Sequence, residues 1–151
     1  MAILSERDWR IRLYIYRYVV DHGRPPTVAE TARHVAIPAD DARQAYRRLH
    51  EGHALFLEPG ADAVRMANPL SAIPTPYRVY VDVHRLWANC AWDSLGIPAM
   101  LHADARIEAA FAPSGDAATY AIVGGQLDAG SGGVVHFPLP FRRWYDDLIH
   151  T

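Results

Sequence analysis

Lysine is absent from the 151-residue sequence, and Cys90 is its only cysteine. A single thiol excludes an internal disulfide, and it excludes a zinc site built on two or more thiolates of one chain. An excess of charge of either sign is also lacking. All 15 basic residues other than histidine are arginines, set against 17 acids for a net charge of −2. Residues 1–68 come to +1 and residues 69–151 to −3. Sequence-independent binding to nucleic acid needs a basic excess that is missing here. Together with the abundant alanine, the arginine-only usage reads as the mark of a GC-rich genome rather than of a mechanism. No apolar run approaches the ~20 residues of a membrane span. The charged first dozen residues lack the apolar core and small-residue cleavage site of a signal peptide, so the expected location is the cytoplasm. Half of the residues are apolar (50%), enough to pack a core.

The pattern of these apolar residues predicts an α+β fold in two lobes. A helix is expected over residues 5–20, with Trp9, Leu13, Tyr16 and Val20 on one stripe, Ile11, Ile15, Tyr18 and Val19 close by, and a stop at His22-Gly23. After Pro25-Pro26, Thr27 and Glu30 have capping-box spacing for a second helix. A third helix over 39–50 turns Ala42, Ala45, Tyr46 and Leu49 inward. Residues 55–57 and 64–66 bracket a loop and read as a hairpin. Three helices and a hairpin follow the order of a winged helix, giving a winged-helix-like N-terminal domain over residues 1–68. Pro69, Pro74 and Pro76 make 69–76 an extended, proline-rich linker. The second lobe, 77–151, is expected to be a mixed β-sheet with one functional helix. Strands are predicted at 77–83, 106–112, 119–123 and 134–137. Helices are predicted at 86–95, ending before Gly96 and Pro98, and at 141–150. The glycine-rich stretch 124–133 lacks the strand-to-helix context of a phosphate loop and reads as a plain loop.

The segment that carries chemistry surrounds Cys90. On a helix, Cys90 and Asp93 would lie three residues apart on one face. A thiolate attacks soft electrophiles, and a carboxyl beside it can move a proton to or from the leaving fragment. A soft metal is the natural match for such a thiolate. Taken alone, the pair has a plainer reading, because a lone cysteine is commonly a small buried hydrophobe and an aspartate a turn acid.

The wider motif shifts that balance. Cys90-Ala91-Trp92-Asp93-Ser94-Leu95-Gly96-Ile97-Pro98-Ala99-Met100 resembles the core motif of the alkylmercury lyases. Ala112-Pro113-Ser114-Gly115 is similar to a Ser/Thr-Gly turn of that family. Val135-His136-Phe137-Pro138-Leu139-Pro140 and Trp144-Tyr145-Asp146-Asp147 are similar to the stretch leading to its last catalytic segment. The resemblance implies a winged-helix-like first domain and cleavage of a carbon–mercury bond by two cysteines and an aspartate. By position, Cys90 matches the metal-capturing cysteine and Asp93 the proton-delivering aspartate. The second catalytic cysteine would fall immediately beyond Thr151, and Phe111 stands where a further, structural cysteine is often found.

These residues leave three functions open. The first is lyase chemistry on an organomercurial or related soft electrophile, with Cys90 also the metal-binding residue and Trp87, Trp92, His136 and Trp144 lining an aromatic pocket. The second is the same scaffold turned to Cys/Asp-assisted chemistry on an organic small molecule. The third is a ligand-responsive DNA-binding regulator using Arg43, Gln44, Arg47 and Arg48 of the third helix. Asp40 and Asp41 at the start of that helix oppose it. The lyase reading needs no cofactor, mercury being only substrate or product ion. Its partners are a small-molecule substrate and a thiol reductant, with a homodimer left open and neither membrane nor nucleic acid expected. His84, His102 and His136 are candidates to approach the thiol, and Asp146-Asp147 reads as a solvated helix end rather than an acid pair.

Overall fold

A computed structural model describes residues 3–146. Three helices open the chain: α1 (Glu6–His22), α2 (Val28–Val35) and α3 (Ala39–Glu51). Ser5 caps α1 and Thr27 caps α2, each in a reciprocal box with the residue three positions on, Asp8 and Glu30. The box satisfies two amides that the first turn otherwise leaves free. On α3 the expected inward face is the observed one, Ala42, Ala45, Tyr46 and Leu49. On α1 the stripe is rotated from expectation. Ile11, Ile15, Tyr16 and Val19 are buried, while Trp9 and Leu13 are each 50% exposed. Asp8 takes a core position because it is fully paired there: Arg48 of α3 donates to it from Nη2 at 2.7 Å and Nε at 3.2 Å.

The strands are β1 (Phe56–Leu57), β2 (Val64–Ala67), β3 (Leu70–Ser71), β4 (Arg78–Val81) and β5 (His84–Ala88), then β6 (Ala105–Ala110), β7 (Ala117–Val123) and β8 (Gln126–Asp128). They form one sheet in the order β1-β2-β3-β5-β4-β6-β7-β8. The α+β class holds. Among the described residues every strand pairing is antiparallel, however, where a mixed sheet was expected. The proline-rich stretch 69–76 contributes β3, whose pairing with β2 and β5 carries the sheet across position 68. One hydrophobic cluster joins Ile11, Ile15 and Leu49 to Val79, Leu86, Ile97 and Ile107. Burying each such side chain is worth roughly 1.5–3 kcal/mol.

A second hairpin and a shifted helix correct the predicted order. Asp82, in the left-handed region at φ 50°, turns β4 into β5, so Leu86 to Ala88 belong to a strand. The next helix, α4 (Ala91–Leu101), begins later than predicted and contains both Gly96 and Pro98, the expected stop signals. Gly96 sits inside because α4 packs against Pro69, whose Cβ lies 3.3 Å from where a Gly96 Cβ would stand. Residues 134–137 form no strand; Val134 is 93% exposed. Of the helix expected over 141–150, a 3-10 segment is observed at Phe141–Asp146. Residues 147–150 lie outside the described residues, and with them Asp147 of the acidic pair.

Candidate active site

Cys90 stands where β5 gives way to α4. It is the N-cap rather than a residue of the helix, with extended backbone (φ −148°, ψ 178°), and its Sγ accepts the Asp93 amide at 3.4 Å. The three-residue spacing therefore works as a cap, sulfur doing what a Ser or Asp oxygen usually does, and not as two side chains stacked on one helical face. The pair is still brought together, because the cap sets the thiol against the backbone of the residue that carries the carboxyl, and both side chains line the same cleft. Burial pushes the Asp93 carboxyl above the usual carboxylate range, against the pull of bonds from Asn89 and Cys90. Burial also pushes the Cys90 thiol up. The Asp93 charge adds to that, while the backbone amides of Asp93 and Trp92 draw it down.

A cleft of about 490 Å³ opens above this pair. One wall is the segment from Ser71 to Tyr77, held by Ser71 Oγ donating to the Ile73 carbonyl (2.9 Å) and Thr75 Oγ1 donating to that of Ala88 (2.6 Å). The facing wall is an irregular strap, residues 129–140, of which Val135, His136, Phe137 and Pro138 reach the cleft. Phe137 stacks on Trp144 with ring centres 5.3 Å apart and meets Trp92 edge-on at 6.0 Å. The strap's other end is tied to β7, where Ser131 Oγ accepts the Thr119 amide (2.9 Å) and Tyr120 donates to the Gly132 carbonyl (2.8 Å). Sulfur, carboxyl and imidazole line one aromatic-walled space. Among the described residues, no three His, Cys, Asp or Glu side chains converge as a metal site.

The alkylmercury lyase family model matches residues 70–148, just over half of the chain and most of the cleft lining, from β3 to the strap. The chain belongs to the alkylmercury lyase family. The crystal structure of the mercury-bound form of MerB2 superimposes on it with a TM-score of 0.68 at 21% identity. That likeness covers 83% of this chain and 60% of the MerB2 chain, and at such identity it shows the fold. No curated protein matches the sequence.

In this alkylmercury lyase family member, Cys90, Asp93, Trp92, His136 and Trp144 all line the cleft. Trp87 does not. It lies on the outer side of β5 between the guanidinium groups of Arg78 and Arg85, at 5.6 and 5.5 Å, because side chains alternate along a strand and Leu86 and Ala88 take the core side. Of the other histidines, His102 caps the far end of α4, about 18 Å of helix rise from Cys90. His84 begins β5, about 20 Å of extended chain away. Sequence reasoning missed Phe137 and the polar chain behind Asp93. Asn89 Nδ2 donates to Asp93 Oδ2 (3.2 Å) and Asn68 Oδ1 (2.9 Å). The Asn68 carbonyl accepts Tyr16 Oη (2.7 Å), which accepts Arg12 Nη2 (2.7 Å). The four-residue step from Asn89 to Asp93 was the one local signal available. The link from Tyr16 to Asn68 spans 52 positions and left none.

Proposed function

We propose that the cleft cleaves a carbon–mercury bond by protonolysis. The observation that carries this reading is the Cys90 thiol capping the helix at Asp93, with both side chains lining one aromatic-walled cleft. The organomercurial enters with its hydrocarbon group against Trp92, Phe137 and Trp144, surfaces suited to an apolar substituent. A sulfur–mercury bond forms as the Cys90 S–H bond breaks, Asp93 takes the proton, and the ligand that mercury brought in leaves as its anion. The carbon–mercury bond then breaks, its electron pair staying on carbon, and Asp93 returns the proton to that carbon. Hydrocarbon leaves and mercury remains on Cys90. Two small-molecule thiols then carry the metal off as its dithiolate, one of their protons returning to Cys90 and the other passing to solvent. Soft sulfur suits soft mercury, and a positioned acid–base group typically contributes about 10²–10⁴-fold. Mercury is substrate and product here, and the scheme calls for no resident cofactor. A lone working thiol fits a reducing, cytoplasmic setting, and among the described residues no helix is long and apolar enough to cross a membrane.

The test is phenylmercury supplied with excess thiol, following benzene by gas chromatography and the protein by intact mass. Benzene release is expected, abolished by Cys90→Ser, with Asp93→Ala retaining a phenylmercury adduct on Cys90. An intact protein that keeps the whole phenylmercury group without turnover would sink the reading and favour Cys/Asp chemistry on an organic small molecule. The regulator alternative is disfavoured by the third helix itself. Arg43 and Arg47 both pair with Asp62, at 3.0 and 2.9 Å, and Arg48 pairs with buried Asp8. Those charges are already partnered before any phosphate arrives.

A further inference from the structure

The hydrogen bonds behind Asp93 carry a more specific inference, which rests on the lyase reading of the cleft. Asn89 precedes the capping cysteine, and its backbone amide donates to the Pro69 carbonyl at 3.3 Å, pinning it to the turn between β2 and β3. Its side-chain Nδ2 faces three oxygens: Asn68 Oδ1 at 2.9 Å, Asp93 Oδ2 at 3.2 Å and the Leu70 carbonyl at 3.4 Å. An amide nitrogen has two protons to give, and the two shorter contacts go to Asn68 and Asp93. Turned over, the amide would set its own oxygen against those oxygens, so the orientation is dictated by its surroundings. The consequence is visible at the other end, where Asn89 Oδ1 is buried without a hydrogen-bond partner. A buried orphan acceptor is uncommon and calls for a reason. Holding Asp93 supplies one.

We propose that Asn89 is the positioning residue of Asp93, fixing the carboxyl in the one rotamer that delivers a proton to the substrate carbon. With Oδ2 held by Asn89, Oδ1 is the oxygen left for proton traffic. Asn68 is the anchor of this arrangement. Its carbonyl is held by Tyr16 of α1, and Tyr16 by Arg12, whose Nε donates to the Ala54 carbonyl at 2.9 Å. The first helix thus reaches the reacting carboxyl through two asparagines, and the N-terminal helices are part of the working site.

Two measurements on the full chain test this. In single-turnover reactions with phenylmercury, Asn89→Ala is expected to load Cys90 at the parent rate within about twofold, because solvent can also take the thiol proton, while benzene release slows by roughly 10- to 100-fold, the scale on which a misaimed group costs rate. A smaller loss of the same kind is expected from Asn68→Ala, which also serves if Asn89→Ala does not fold. Loading and release slowed in equal proportion would mean a merely structural role. The second readout does not depend on turnover. Three-bond side-chain couplings of Asp93 should report a single χ1 rotamer in the parent and averaging between rotamers in Asn89→Ala. An Asp93 that keeps one rotamer without Asn89 overturns the proposal. A parent that releases no benzene defeats the lyase reading, and the couplings still decide Asn89.

Discussion

Replacing Tyr16 by Phe isolates the joint between the first helix and the cleft. The ring stays in the core, and Arg12 keeps its place over the ring face, 4.3 Å from its centre. Only the hydroxyl goes, with it one bond received from a guanidinium and one given to the Asn68 carbonyl, both 2.7 Å. A bond to a charged group is worth about 1.5–3 kcal/mol and a neutral one about 1. Arg12 is half-buried and retains the Ala54 carbonyl, so the lower part of that range applies. The expected loss is about 2–3 kcal/mol, read as a fall in Tm of about 4–12 °C for a chain of this size. The pH dependence gives a second check. Burial holds the Tyr16 phenol above its ordinary value, nearby Asp93 adding to this against Arg12. A tyrosine of the unfolded chain ionises near pH ~10, so the parent's advantage is complete below that pH. It is lost as pH rises through the folded value, and the gap between parent and variant narrows. Thermal melts by circular dichroism between pH 7 and 11 measure both effects. A fall of less than about 2 °C at pH 7, smaller than one bond is worth, would refute the reasoning.

Two further outcomes follow from the cleft. Iodoacetamide should alkylate Cys90 more slowly at pH 7 than an exposed cysteine, with a midpoint above the ordinary thiol value. Burial is the chief cause and the Asp93 charge adds to it, so Asp93→Asn should lower that midpoint; a parent midpoint at or below that of free cysteine contradicts the geometry. Gly133 has φ +111°, and a Cβ there would meet the Phe111 ring at 2.8 Å. Gly133→Ala should therefore displace the strap and loosen the packing of Trp92, Phe137 and Trp144, read as a changed tryptophan emission spectrum. A spectrum superimposable on the parent's would show that the strap is not held there.

The helical part of the chain was legible where charge and apolar residues segregate cleanly. Thr27-to-Glu30 spacing announced a cap, and the inward face of α3 followed from Ala42, Ala45, Tyr46 and Leu49 alone. On α1 apolar side chains occupy most of the circumference, so periodicity could not choose the buried stripe. The choice fell to Asp8, which enters the core only because Arg48, forty positions later, arrives to neutralise it. The apolar run from Leu86 to Leu95 hid a change from strand to helix, since buried strands and buried helices share composition. Gly96 and Pro98 read as punctuation when Gly96 was in fact making room for Pro69.

At the site, the sequence by itself determined which atoms are the candidates for the proposed chemistry. One thiol exists, one acid lies three residues beyond it, and local chain geometry suffices to set the thiol against that residue's amide. Only the tertiary structure decided that the thiol caps the helix instead of riding on it, that Trp87 faces away while Phe137 and His136 come across from the strap, and that Asn89, Asn68 and Tyr16 stand behind the acid. Contacts between neighbours in sequence are written in spacing. Contacts that close only when a sheet aligns β2, β3 and β5 beneath a helix depend on the packing of the whole chain, and no short stretch of residues encodes them.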